Sequence, residues 1–71
     1  MNNKRARFVR LAESRVNNTI KNIDLISNLS NTNNYAYTEQ DIKKIFRTIK
    51  QHLSEAEKKF ILVNKETQFK L

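Results

Sequence analysis

The residues of this sequence with the clearest chemical potential are its cations, which gather in two segments of the chain. Five of them stand between positions 4 and 15 beside a single acid, Glu13. Three more recur at steps of four and three residues from Lys43, and these steps place side chains on one face of a helix. Such clusters are typical either of a surface that binds the phosphates of a nucleic acid or of an ordinary solvated face. The candidate phosphate-binding cations are Lys4, Arg5, Arg7, Arg10, Arg15, Lys21, Lys43, Lys44, Arg47 and Lys50.

Two tyrosines and one histidine are the other side chains that invite a chemical role. Tyr35 can stack on an unpaired base or cap a core with its ring, whereas the position of Tyr37 beside a helix start favours the core role. His52 is the only histidine, the chain has no cysteine, and no acid pair or nucleophile–base arrangement is apparent. The sequence therefore predicts no catalytic site, no metal and no cofactor.

Length and charge restrict the class of protein. With 71 residues the chain is expected to form one small domain, and its net charge of +7 favours polyanionic partners. No apolar run approaches the roughly 20 residues of a membrane helix. The first residues lack the apolar core of a secretory signal, so a cytoplasmic protein without a membrane partner is expected.

The first element that must position these residues is a predicted helix over about residues 3–28. Val9, Ala12, Val16, Ile20 and Ile23 recur at three- and four-residue steps, which is the period of an amphipathic helix. Glycine and proline are absent from the whole sequence. Helices can therefore run long, and asparagines are expected to supply the turns because they tolerate a left-handed backbone.

A second helix is predicted over about residues 39–60, after a joint over 29–38. Thr38 and Asp41 have the spacing of a capping box, and apolar residues follow at alternating steps of four and three. The resulting fold class is all-α, an antiparallel helical hairpin of two long helices. Residues 61–71 either finish the helix, form a short extended segment or hairpin, or make a mobile tail. The predicted heptad seam consists of Ile42, Phe46, Ile49, Leu53, Ala56, Phe60 and Val63.

Two helices with one apolar stripe each provide few side chains with which to bury a core. We therefore expect either a second copy of the chain, in a homodimer, or a different protein to cover the remaining apolar surface. The candidate partner-interface residues are Phe46, Leu53, Phe60, Phe69 and Leu71.

Several short phrases of the sequence are distinctive. They are Arg7-Phe8, Leu11-Ala12-Glu13, Arg15-Val16-Asn17 and, within the run from Ile20 to Phe46, Leu25-Ile26-Ser27-Asn28-Leu29-Ser30-Asn31, Asn34-Tyr35-Ala36-Tyr37-Thr38 and Asp41-Ile42-Lys43-Lys44-Ile45-Phe46. In these phrases the chain resembles the short helical proteins of bacterial mobile elements. Among these is the "middle protein" family of staphylococcal cassette chromosomes, whose members accompany an A-family polymerase-like protein that acts as a primase. The resemblance covers most of the chain except its first residues and its tail. It implies a non-catalytic subunit that binds the polymerase-like protein and helps it to engage single-stranded DNA.

Two other classes of function stay open at the level of sequence. One is a homodimeric regulator or relaxosome-type accessory that binds duplex DNA, although the spacing of a compact helix-turn-helix is missing. The other is a protein-interaction module, such as a small inhibitor, for which the cations would be dispensable.

Overall fold

The computed structural model describes the backbone of residues 3–68 and the side chains of residues 3–62. It contains helix α1 (Asn3–Ser27), a 3₁₀ turn (Asn28–Ser30) and helix α2 (Glu39–Gln68), and no strand occurs in this part of the chain. The predicted all-α class with two long helices is confirmed. The chain divides into two units, one ending at Ala36 and one beginning at Tyr37, and each is described by itself. The antiparallel pairing of the helices stays a prediction.

Helix α1 runs through 25 residues because nothing in its sequence interrupts it. The apolar stripe keeps helical period along its length, and glycine and proline are absent. Near its end the Ser27 hydroxyl donates to the carbonyl of Asp24 at 2.7 Å, and the chain then tightens into the 3₁₀ turn. The predicted end near residue 28 agrees with this boundary within the usual uncertainty of helix ends.

The joint between the helices is shaped by Asn31. Its side-chain Oδ1 accepts a hydrogen bond from the amide of Asn33 at 2.9 Å, and its carbonyl accepts from the amides of Asn34 and Tyr35 at 3.2 and 3.0 Å. The first of these is the bond of an Asx turn, in which the side chain imitates the backbone. No described residue has a positive φ. Asn31 therefore supplies the turn, as expected of asparagine, but within residues 3–68 it does so through side-chain acceptance and not through a left-handed backbone.

Helix α2 begins with the predicted capping box. The amide of Asp41 donates to the Thr38 hydroxyl at 3.0 Å, and the amide of Thr38 donates to the Asp41 carboxylate at 2.9 Å. The carbonyl of Thr38 accepts the first helical bond from Ile42 at 3.3 Å. Amides that the helix itself leaves without partners are thus satisfied, and the acid also lies where the helix dipole favours negative charge.

Replacing Thr38 by alanine is expected to destabilise α2 by about 1 kcal/mol, because one side of the reciprocal cap is lost. The loss should appear as lower helicity and a lower midpoint when the full chain is melted and followed by circular dichroism. Thr48→Ala is the matched control. It removes another threonine hydroxyl, one that donates to the Lys44 carbonyl inside α2, and alanine favours a helix interior. Equal melting curves for the two variants would contradict the role given to the cap.

Helix α2 extends further than the sequence predicts. The predicted end lay near residue 60, and three forms were left open for residues 61–71. The helix continues to Gln68, so over residues 61–68 the helical alternative is the one observed and the extended alternative is wrong. The physical reason is that no glycine or proline stops the helix there. Phe69, Lys70 and Leu71 lie outside the described residues.

No side chain in residues 3–62 is buried within its unit. On α1, Val16 and Ile20 expose 55% and 52% of their surface, although both belong to the apolar stripe. We call the apolar side chains at heptad spacing on α2 the α2 seam; four of the six are exposed, and Ile42 and Ile49 are partly exposed. Exposed apolar stripes of this length are unusual in a protein that acts alone. The α2 seam comprises Ile42, Phe46, Ile49, Leu53, Ala56 and Phe60.

Candidate nucleic-acid interface

Three of the predicted cations form one continuous row on α2. Lys43, Arg47 and Lys50, which we call the α2 stripe, are all in the helix, and all three are exposed. Their steps of four and three residues place them along about 10 Å of the helix axis. Together with Ile42 and Phe46 they line an open concavity in the surface. The stripe therefore borders the α2 seam directly.

The concavity brings Phe46 together with the cations. Phe46 follows Lys43 by three residues and precedes Lys50 by four, and residues so spaced are neighbours on a helix. The ring is 40% exposed. The sequence predicts Phe46 only as part of the seam and the partner interface, and not as a neighbour of the cations. The three- and four-residue steps that join Lys43, Phe46 and Lys50 could have predicted this neighbourhood, but the heptad pattern indicates only the seam.

Glu39 and Lys43 form an ion pair across the first turn of α2. The Lys43 Nζ lies 3.4 Å from a carboxylate oxygen of Glu39, and the two side chains are 66% and 83% exposed. An ion pair so open to water contributes little to stability and breaks easily. Lys43 can therefore exchange this carboxylate for a phosphate at small cost. Lys44 is exposed on the helix, and it is not among the described residues that line the concavity.

A second group of cations lies on α1. Arg7, Arg10 and Lys21 share one side of the helix by their spacing, whereas Arg15 falls on another side. The guanidinium carbon of Arg5 lies 5.7 Å from the centre of the Phe8 ring, which is the distance of a cation–π contact. No acid occupies the first turn of α1, where cations oppose the helix dipole. The predicted α1 cations Lys4, Arg5, Arg7, Arg10, Arg15 and Lys21 are all exposed.

Tyr35 lies outside both helices. Its amide donates to the Asn31 carbonyl, and its side chain is 49% exposed, so the ring is accessible to a base. Its predicted stacking role stays a prediction. Tyr37, for which the sequence favoured a core role, is exposed and joins no buried core in residues 3–62.

The predicted partner-interface residues occur along the α2 seam. Leu53 and Phe60 are 67% and 61% exposed, more than Phe46. Phe69 and Leu71, also predicted for this surface, lie outside the described residues. A protein that bound here would cover apolar side chains that are exposed within this unit.

The described residues contain neither a metal-binding cluster nor a membrane-spanning helix. No group of histidine and acidic side chains there is arranged to hold a metal ion. No helix in the same part of the chain combines the length and apolar character needed to span a bilayer.

Comparison of the chain with protein-family models, with curated proteins and with solved structures found no match. The charge, spacing and exposure of the residues described above are therefore what indicates a function.

Proposed function

We propose that this protein is a non-catalytic accessory subunit of a DNA replication or priming complex in the cytoplasm. It binds a polymerase-like protein and single-stranded DNA. The observation that carries this proposal is the side-by-side placement, on one helix, of the cationic α2 stripe and the exposed α2 seam. One surface is suited to a polyanion and the other to a protein.

The α2 stripe is suited to a nucleic acid because its cations outnumber the acids near them, and Glu39, which pairs with Lys43, is highly exposed. Residues 42–50 contain four cations and no acid. Each phosphate that such a cation contacts releases condensed counterions, which drives binding without regard to sequence. The α1 cations add to the positive field that attracts a strand. A subunit that assists priming at many sites needs this kind of non-specific affinity.

The α2 seam is suited to a protein because a long amphipathic helix can lay its apolar side chains into a groove of a partner. Exposed side chains at heptad spacing, such as Leu53 and Phe60, are the anchors that this mode uses. The polymerase-like identity of the partner comes from the resemblance carried by residues 25–46 to small proteins that accompany such an enzyme.

The two surfaces together would tether a template strand to the enzyme. Once the seam is docked, a strand held by the stripe stays near the active site of the partner, so its effective concentration there rises. In this scheme the accessory subunit contributes no catalytic group. It contributes affinity for the strand and holds the strand near the enzyme.

The proposal is tested with the purified full chain and any polymerase-like protein that the neighbouring genes encode. We expect the two proteins to co-purify, and we expect the chain to bind a labelled oligothymidylate in fluorescence anisotropy. The logarithm of the binding constant should fall with the logarithm of the salt concentration with a slope of about −2 if three cations contact phosphate, and more steeply if α1 contributes.

Three other results would overturn the proposal. Failure of both co-purification and oligonucleotide binding would end it outright. A preference for duplex DNA with a footprint at one sequence would favour the homodimeric regulator instead. Protein binding that survives neutralisation of Arg7, Arg10, Lys43 and Arg47, with no affinity for DNA, would favour an interaction module.

A further inference from the structure

We infer that Phe46 is a stacking platform for one unpaired base, and that Lys43, Arg47 and Lys50 bind the phosphates on either side of that base. This inference rests on the proposed function and deepens it, because it assigns the strand to one place on α2. It also moves Phe46 from the protein interface to the nucleic-acid interface.

The ring of Phe46 is accessible to a base. Phe46 lines the open concavity, and 40% of its surface is exposed to solvent. A base can stack on a phenyl ring only where a face of the ring can be reached, and it needs no hydrogen bond to do so. Such a platform accepts any base, which agrees with a strand bound without sequence preference.

Cations lie before and after Phe46 along the helix. Lys43 precedes Phe46 by about 4.5 Å along the helix axis and Lys50 follows it by about 6 Å. Arg47 is the next residue and lines the same concavity. A nucleotide has a phosphate on each side of its sugar, so a strand that stacks one base on Phe46 meets a cation before the ring and after it. Bases of an intact duplex are already stacked and paired, so they cannot reach the ring in this way.

The charge of α2 changes from basic to neutral along the helix. Residues 42–50 carry four cations without an acid, whereas residues 51–62 carry two acids and two cations. The most exposed large apolar side chains of the seam, Leu53 and Phe60, belong to this second, neutral segment. Phe46 alone among the aromatic residues of the seam stands in the basic segment. We therefore assign the first part of α2 to the strand and the second part to the protein partner.

The test compares Phe46→Leu and Phe46→Tyr in the full chain. Leucine keeps an apolar side chain and favours a helix, but it has no ring face, whereas tyrosine keeps the ring. With a labelled oligothymidylate, F46L is expected to bind about five-fold more weakly than the unaltered protein, at the lower end of the effect of one base–aromatic stack. F46Y should bind as the unaltered protein does. The salt slope should be the same for all three, because no charge changes.

An abasic oligonucleotide of equal length separates stacking from every other role of Phe46. It has the same phosphates and no base, so F46L and the unaltered protein should bind it equally. Circular dichroism of both variants checks that α2 is intact. Equal binding of oligothymidylate by F46L and the unaltered protein would overturn the stacking inference and leave the proposed function in place. An equal loss on both oligonucleotides would also overturn it, since Phe46 would then act through the fold or as an apolar contact. No binding by the unaltered protein would overturn the proposed function itself.

Discussion

Leu53→Asp is expected to abolish co-purification with the polymerase-like protein, with an affinity at least about 100-fold lower, because a carboxylate buried without a partner in an interface costs several kcal/mol. Leu53 is the most exposed large apolar side chain described on the α2 seam, at 67%. With Phe60 it belongs to the part of the seam that is assigned to the protein partner. A large apolar side chain that loses its water completely in an interface is among those whose loss the interface tolerates least. The affinity is measured by titration of the labelled chain with the purified partner.

Gln51→Asp is the matched control for this variant. It introduces the same charge two residues earlier on the same helix, but its spacing places it away from the seam. Q51D should co-purify with the partner, and L53D and Q51D should bind oligothymidylate equally because their charges are equal. If a second copy of the chain covers the seam in the absence of the partner, sedimentation should show a dimer for Q51D and a monomer for L53D. Full co-purification of L53D would contradict the assignment of the seam to the partner.

Much of the helical structure follows from the sequence because local rules determine it. The apolar period fixes α1, and the Thr38–Asp41 pair fixes the start of α2, since both depend only on residues within one or two turns. The end of α2 could not be predicted in the same way. A helix stops where a breaker or a C-cap residue stops it, and the segment after residue 60 contains neither glycine nor proline. The sequence therefore left both a helical and an extended form open there, and residues 61–68 take the helical one.

The sequence likewise predicts the part of the candidate site that depends only on local spacing. Helical spacing alone places Lys43, Arg47 and Lys50 in one row, so the stripe is visible in the sequence. Heptad spacing also reveals the seam, but it cannot show how exposed each side chain is within its unit, because a buried and an exposed apolar stripe have the same period. The exposure of Leu53 and the concavity around Phe46 depend on three-dimensional surroundings. They could only be seen in the structure.

The double variant Arg47→Gln, Lys50→Gln is expected to weaken oligothymidylate binding on the order of 60-fold at 0.05 M salt. The reason is counterion release, which contributes about 0.7 to the salt slope for each phosphate contact to a single strand. Removal of two contacts should therefore reduce the magnitude of the slope by about 1.4, and the two proteins should approach equal affinity near 1 M salt. Anisotropy titrations at four or more salt concentrations measure both quantities.

Lys58→Gln, Lys59→Gln lowers the net charge by the same two units at positions further along α2 that do not line the concavity. If the strand is held by the α2 stripe, this control should keep nearly the full slope, and its affinity should fall only through the weaker overall field. If the strand is attracted by net charge alone, the two double variants should be indistinguishable at every salt concentration. The salt slope distinguishes these cases better than the affinity does. Long-range attraction changes the affinity with total charge, whereas the slope counts the phosphates that are contacted. Equal slopes would mean that the row on α2 is an ordinary solvated face, and the strand would then have to be sought along α1.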